Sequence, residues 1–267
     1  MSSPAQSDAP PLLFEREGAV AKVTLNRPGA ANAIDLSLAR ELLLTAIACD
    51  EDDSIRCVLL TGTGRFFCAG GDVRSFVAAG ASIAPLLKEL TACFHMALVR
   101  FAHMNKPLLT AVNGIAAGAG FSLALHGDLV LCARNAQFTS AYSQLGLSSD
   151  GGLSWLLPRL VGLRRAQELL FTNRTVSAEE ALSLGLITRI AESESVSEDA
   201  LRLAQELASG PTGAYGKLRN LLLRSGAASL ESQLEEESRA LAEASRTAHG
   251  REGVAAFIAK RKPDFSR

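Results

Sequence analysis

The stretch P-L-L-T-A-V-N-G-I-A-A-G-A-G-F-S-L-A-L, Pro107 to Leu125, decides how the rest of the chain is read. Leu108–Val112 is an apolar run of strand length, Gly114, Gly118 and Gly120 make a tight loop, and the residues after them have the pattern of a helix's first turns. Glycine lets backbone turn and approach a ligand without a Cβ clash, and the first N–H groups of a helix have no partner within it. Together they make an anion site. Residues 57–72 repeat the plan, with a strand over 57–60, a loop carrying Gly62, Gly64, Gly70 and Gly71, and then a helical pattern. Two such loops can each aim one amide at a single oxygen, which is an oxyanion hole built from backbone alone.

The same alternation extends outward. Val20–Leu25 reads as a strand ended by the turn Asn26-Arg27-Pro28-Gly29. Asp35 or Ser37 caps the next helix, whose apolar stripe runs near Leu38, Leu42, Thr45 and Ile47 and which the acidic turn 50–53 ends. A long helix is expected over 82–102, broken at Lys106-Pro107, and a strand at Leu129–Cys132. Ser177 and Glu180 form a capping box for a short helix that Gly185 ends, and 186–190 is one more candidate strand. Strand, turn and helix recur, so the expected fold class is α/β with parallel strands. From Ser197 the pattern turns to helices only, over 198–209, 213–224, 229–246 and 250–260. We therefore divide the chain into an α/β core, 1–196, with 1–11 as a disordered lead-in, and a helical region, 197–267. The apolar stripes of that region serve either assembly or packing on the chain's own core.

Composition narrows the function classes. The 267 residues are 48% hydrophobic and 21% charged, as in a soluble globular protein. A formal net charge of −1 gives no global attraction for nucleic acid, so any phosphate on a ligand must be met by local Lys and Arg. Cys49, Cys57, Cys68, Cys93 and Cys132 have no metal-type spacing and read as core thiols in a reducing cytoplasm. The first residues lack the basic start and apolar run of a signal peptide. Between Lys106 and Asp128 no Asp, Glu, Lys or Arg occurs and Gly114 and Gly118 form a G-x-x-x-G, so a spanning helix has to be weighed. Pro107, Asn113 and the glycines break the segment, and no membrane partner is expected. Neither loop has the G-x-G-x-x-G spacing of a dinucleotide site, since Phe67 and Leu123 stand where the last glycine belongs, and no Walker lysine follows.

Several motifs occur in a telling order: Leu25-Asn26-Arg27-Pro28 with Ala31-Asn32-Ala33, Phe67-Cys68-Ala69-Gly70-Gly71-Asp72, and Lys106-Pro107 leading to Ala111-Val112-Asn113-Gly114. Leu145-Gly146-Leu147, Pro158-Arg159-Leu160-Val161-Gly162, residues 177–185, and Ala256-Phe257 with Lys260-Arg261 continue it. The chain from Val20 onward resembles the crotonase family of enoyl-CoA hydratases and isomerases. The resemblance implies a core of repeated strand-strand-helix (ββα) units and a C-terminal helical region that trimerises, giving a homotrimer or a dimer of trimers (a hexamer). It also implies acyl-CoA thioester substrates, as in fatty acid metabolism, with no metal or redox cofactor beyond the coenzyme A of the substrate. Position by position it places the oxyanion hole at the N–H groups of Gly71 and Ala119. Ala69, Asp72, Val73 and Arg74 then fall in the substrate-binding loop, Arg27, Arg74 and Lys260 become candidates for the CoA phosphates, and Phe257 packs near the adenine or pantetheine end.

The acid/base groups depart from the family's hydratases, which carry two glutamates where this chain has Ser122 and Tyr142. Neither hydroxyl is a base near neutral pH without an activating neighbour. Asp150, in Gly146-Leu147-Ser148-Ser149-Asp150-Gly151-Gly152, resembles the aspartate of the family's isomerases, with Ser149 in place of a proline. Burial among Leu147, Leu153, Trp155 and Leu156 would raise its pKa toward that of a general base. Composition alone also allows a turn aspartate before glycines. His95, His103 and His126 lack a paired acid or thiol at a telling spacing and read as packed or exposed helix residues, Asp72 as a cap, Asp128 as structural, and Cys68 as a core residue. The expectation is thus an enoyl-CoA isomerase that shifts a double bond through a thioester enolate. The alternatives are an enoyl-CoA hydratase with rearranged acid/base groups and a non-catalytic acyl-CoA-binding paralogue.

Overall fold

Short apolar runs separated by glycine and asparagine turns form strands in pairs, and each pair delivers the chain into a helix. The computed structural model describes residues 9–191 and 195–266. Strand β1 (Leu12–Glu17) pairs antiparallel with β2 (Val20–Leu25), and helix α1 (Leu36–Glu51) follows. The next unit is β3 (Cys57–Gly62), β4 (Phe66–Cys68), α2 (Val73–Ala79) and α3 (Ile83–His103). Then come β5 (Leu108–Val112), β6 (Ile115–Ala117) and α4 (Ala119–Leu125), followed by β7 (Leu129–Cys132), β8 (Gln137–Thr139) and α5 (Leu153–Thr172). After β9 (Val176–Ser177), α6 (Ala178–Ser183) and β10 (Arg189–Ile190), the chain ends in α7 (Val196–Ala208), α8 (Thr212–Ser225), α9 (Leu230–Ser245) and α10 (Ala248–Ile258).

Within a unit the two strands part company. The first joins a six-stranded sheet of order β1-β2-β3-β5-β7-β10, and the second turns into a four-stranded sheet of order β4-β6-β8-β9. From β2 to β10 the larger sheet is parallel. Its strands are apolar on both faces because both are covered. Val58, Leu60, Leu108 and Val112 point into the main core with α1 and α3, whereas Cys57, Leu59, Leu109 and Ala111 meet Val196, Ala200, Leu203 and Ala204 of α7. The first of the four C-terminal helices is therefore part of the sheet's own packing, and α9 buries no residue in this chain.

The α/β expectation with ββα units is met, and several local expectations change. Each glycine loop contains a strand, β4 or β6, of three residues, too short to show a period; the two pair with each other in parallel. Gly120 lies in α4 rather than in the loop. Ile47 is exposed, because the stripe of α1 turns through Ala46 and Cys49 instead. The candidate strand at 186–190 shortens to Arg189–Ile190. Of the lead-in, residues 1–8 lie outside the described residues, while the carbonyls of Pro10 and Pro11 accept hydrogen bonds from Asn26. Strand β1 and helix α5 were not expected; α5 carries Pro158 and a kink at Gly162, which interrupt its helical signal. The uncharged segment after Lys106 is two strands and a seven-residue helix, not a span. Residues 73–103 are long and apolar enough for one, but they divide at a 3-10 turn, and α3 lays Leu90, Phe94, Ala97, Leu98 and Phe101 into the core.

Candidate active site

Two asparagines hold the glycine loops in place. Asn32 Nδ2 donates to the carbonyls of Thr63 (2.9 Å) and Phe66 (2.8 Å). Asn113 accepts from Gly62 N (3.1 Å) and donates to Gly64 O (2.9 Å), joining the turn after β5 to the turn after β3. Helix α4 then presses onto β4 so closely that a Cβ at Gly120 would lie 2.1 Å from Cys68 O. Gly118, at φ 53° and ψ −126°, supplies the turn into α4 in a conformation open to glycine.

This packing brings two amides together. Ile34 N donates to Gly70 O (2.7 Å) and Asp72 N to Ile34 O (3.0 Å), a parallel bridge that uses the groups flanking Gly71 and turns Gly71 N–H the other way. Ala119 is the first residue of α4, so its N–H has no acceptor within the helix. Among the described residues neither amide has a hydrogen-bond partner. The loops touch here, since a Cβ on Gly70 would come within 3.3 Å of Ala119 N.

Both amides line a pocket of about 290 Å3, with Ala69, Val73, Tyr142 and Asp150 among its other walls. Phe76, Leu87, Leu90 and Leu147 make much of the surface apolar. Among the described residues Asp150 is the one carboxylate in that lining, half-buried with 24% of its side chain exposed. Tyr142 Oη donates to Asp150 Oδ1 at 2.5 Å. Ser122, buried on α4 behind the pocket wall, lies 3.2 Å from Tyr142 Oη and donates to the main-chain carbonyl of Asp150 at 2.9 Å. Burial, and after it the charge of Asp150, pushes the Tyr142 phenol above its ordinary value.

Two histidines fix the chain just after Asp150. Gly151 N donates to His95 Nε2 (3.1 Å), which makes that nitrogen an acceptor, and His126 Nε2 donates to Gly151 O (2.9 Å). His95 Nε2 also lies 3.8 Å from Asp150 Oδ2; with its lone pair taken by Gly151, this is a near approach and not a hydrogen bond. Burial lowers the pKa of His126, favouring the neutral ring. The sequence reading set both histidines aside, and His95 is the residue it missed. It stands on α3 far along the chain from Asp150, with no pattern linking the two. His103 stays outside this cluster, facing Asn220.

Other candidates fall elsewhere. Asp72 caps α2 by accepting from Arg74 N (3.1 Å), and it pairs with Arg27 (3.0 Å). Arg27 is also held by Asp35 (2.8 Å) and the Ala33 carbonyl, so it braces α1 against α2 and is not a spare cation for a phosphate. Asp72 and Arg27 are therefore corrected from substrate-binding to structural placements. Ser122 likewise contacts Asp150 and Tyr142 from behind and does not line the pocket. Arg74 is exposed beside the pocket loop, and Phe257 and Lys260 sit at the end of α10, exposed and away from the pocket lining of this chain. Cys68 lies under the first loop with its thiol pushed up to about 12 by burial, consistent with a core residue. Asp128 pairs with Arg219 and accepts from Leu108 N, a structural role.

Paired strands feeding two sheets, with two free amides where the short strands meet the helices, are the architecture of the crotonase-type acyl-CoA enzymes. Residues 15–267 match the enoyl-CoA hydratase/isomerase family, and the chain belongs to it. It is 41% identical over 256 residues to the 1,2-epoxyphenylacetyl-CoA isomerase of Escherichia coli K12, covering 96% of this chain and 98% of the relative. It is 33% identical to 4-chlorobenzoyl coenzyme A dehalogenase-2 of an Arthrobacter species, covering 92% and 90% of the two chains. Among solved structures, an enoyl-CoA hydratase from Polaromonas sp. JS666 superposes with a TM-score of 0.90 at 33% identity, covering 95% of this chain and 98% of that one. The protein is an acyl-CoA enzyme of this family, whose similar members differ in the reaction they carry out.

Proposed function

We propose that the protein is an acyl-CoA isomerase in which Asp150 moves a proton between two carbons while the amides of Gly71 and Ala119 hold the thioester oxygen. The observation that carries this reading is that, among the described residues, one carboxylate, Asp150, lines the pocket that Gly71 and Ala119 also line. For a 3-enoyl-CoA, Asp150 takes a proton from C2 and the charge moves onto the thioester oxygen as a dienolate. The same carboxyl then returns a proton to C4, leaving the double bond at C2–C3. Substrate and product have the same atoms and the same electron count, so the step calls for no metal or redox cofactor. Two fixed N–H donors aimed at the developing oxyanion act without reorganisation, and losing one such donor in an enzyme typically costs about 10²–10³ in rate. Hydration in place of isomerisation would need a second group to activate water, and Ser122 and Tyr142 are both committed to Asp150.

A ring-bearing acyl group is a second substrate arm. Two of the relatives act on CoA thioesters of ring acids by their names, and the apolar walls at Phe76, Leu87 and Leu147 suit a ring as well as a short chain. CoA itself would rest on Arg74 and Lys260, with Phe257 against its adenine or pantetheine end. Lys260→Ala should then weaken CoA binding more at low salt than at high; unchanged affinity at low salt would remove Lys260 from the site. Leu218, Leu222, Leu234 and Leu241, exposed on α8 and α9, support a trimer or dimer of trimers. A stable monomer by light scattering at micromolar concentration would refute the assembly. The function is tested by assaying the purified protein on 2-enoyl-, 3-enoyl- and aromatic-ring acyl-CoAs. Conversion of 3-enoyl- to 2-enoyl-CoA or rearrangement of a ring substrate supports it, and water addition as the sole reaction contradicts it.

A further inference from the structure

We propose that Tyr142 and Ser122 are positioning residues for Asp150. The Tyr142 hydroxyl occupies Oδ1, so that Oδ2 alone is left to exchange a proton with substrate, and Ser122 holds the Asp150 main-chain carbonyl beside the phenol. This rests on the reading of Asp150 as the base and assigns to the two hydroxyls a task other than contacting substrate.

Counting protons fixes the directions. Three contacts close a ring: Asp150 Oδ1 to Tyr142 Oη (2.5 Å), Tyr142 Oη to Ser122 Oγ (3.2 Å), and Ser122 Oγ to Asp150 O (2.9 Å). Each hydroxyl has one proton, and a carboxylate has none to give. Tyr142 therefore donates to Oδ1. Ser122 has three oxygens within reach, the Asp150 carbonyl, Tyr142 and, at 3.4 Å, Gly118 O, and the Asp150 carbonyl is the nearest. Main chain and side chain of one residue are thus held by a single pair of hydroxyls.

The second oxygen stays available. His95 Nε2, 3.8 Å from Oδ2, accepts from Gly151 N and has no proton to direct at the carboxylate. The other groups near Asp150 are His126 at the α4 terminus, bonded to Gly151 O, Cys68 of β4, a buried thiol, and Lys88 of α3, which lines the same pocket. His126 is spent on Gly151 O, and among the described residues Tyr142 is the side chain that donates to the carboxylate. Tyr142 is thus the donor that occupies one carboxyl oxygen and sets which oxygen reacts.

The test uses Tyr142→Phe and Ser122→Ala in the full-length protein, with two readouts. The first is the titration midpoint of Asp150 by carboxyl carbon NMR of the aspartate-labelled protein, its signal assigned by loss in Asp150→Asn. This readout does not depend on activity. The second is kcat and KM for isomerisation of a 3-enoyl-CoA. Tyr142→Phe removes a hydrogen bond to the charged form, so the midpoint should rise by about one pH unit and kcat should fall about tenfold with KM within about twofold. Ser122→Ala should move both in the same direction by less, because it acts on the Asp150 main chain and not on the carboxylate. A midpoint unchanged in Tyr142→Phe, or a raised KM with kcat intact, would overturn the proposal. If instead the midpoints move as expected and Asp150→Asn isomerises normally, the positioning stands as a structural fact and the assignment of the base fails.

Discussion

The two ends of the pocket are built from different material. The end proposed for the thioester is backbone: Gly71 N–H and Ala119 N–H, aimed by strand pairing and by the start of α4. The end proposed for proton transfer is side chain: Asp150, with Tyr142 and Ser122 on one side and His95 on the other, gathered from α3, α4 and the β8–α5 connection. Backbone donors depend on how tightly elements pack and are indifferent to which side chain sits at the position. Side-chain groups depend on identity and tolerate small shifts of the frame. Substitutions should therefore act oppositely at the two ends.

The sharpest break in that contrast comes from the frame itself. Gly120→Val would drive a side chain into Cys68 O, where a Cβ already lies 2.1 Å away, so α4 must lift off β4 and carry Ala119 N–H with it. We expect a loss of about 3 kcal/mol of stability by denaturant unfolding and no measurable turnover in whatever folds. A stable, active Gly120→Val would show that the amide end does not need this contact. At the other end Asp150→Asn keeps the shape and removes the base. Turnover should fall about 10²–10⁴-fold with acyl-CoA affinity nearly unchanged, which steady-state kinetics and equilibrium binding separate.

The difference between the ends also explains what the sequence revealed. Glycine spacing after two strands exposed the amide end, because a positive φ calls for Gly118 and a close backbone approach for Gly120. The repeated ββα plan was legible for the same reason, although β4 and β6 were too short to register and α5 was hidden by Pro158 and Gly162. Asp150 could be picked out from its resemblance to family isomerases, and Ser122 and Tyr142 as departures from the hydratase pattern. That these three touch one another, and that His95 flanks them from α3, depends on tertiary packing with no local signal. Arg27 illustrates the converse: an arginine in a family motif looks available until the fold sets Asp35 and Asp72 around it.

A smaller effect sharpens the side-chain end. Tyr142 and Tyr215 are the only tyrosines, so Tyr215→Phe leaves Tyr142 as the sole phenol. Its folded-state pKa is raised above the unfolded value near 10, so the phenol keeps its proton, and the stability linked to it is present below about pH 10 and lost as pH rises above that. Phenolate absorbance in Tyr215→Phe should stay flat through pH 10 until the protein unfolds; an ordinary titration near 10 would place Tyr142 in a wetter, uncharged setting. The smallest effect belongs to the amide end. Ala119→Gly keeps the N–H and should change kcat by no more than about threefold, the cost being the looser start of α4. A loss as large as that of Asp150→Asn would mean that the methyl group, not the amide, does the work.

The central claim is that a proton moves and no water is added, and labelled solvent tests it directly. Wild-type protein incubated with a 3-enoyl-CoA in deuterated, oxygen-18-enriched water should give 2-enoyl-CoA with carbon-bound deuterium and no oxygen-18 in the acyl chain. Asp150→Asn should give both product and exchange about 10²–10⁴-fold more slowly. A 3-hydroxyacyl-CoA carrying oxygen-18 as the first product from the wild-type protein, formed equally well by Asp150→Asn, would contradict both the reaction and the base assigned to it.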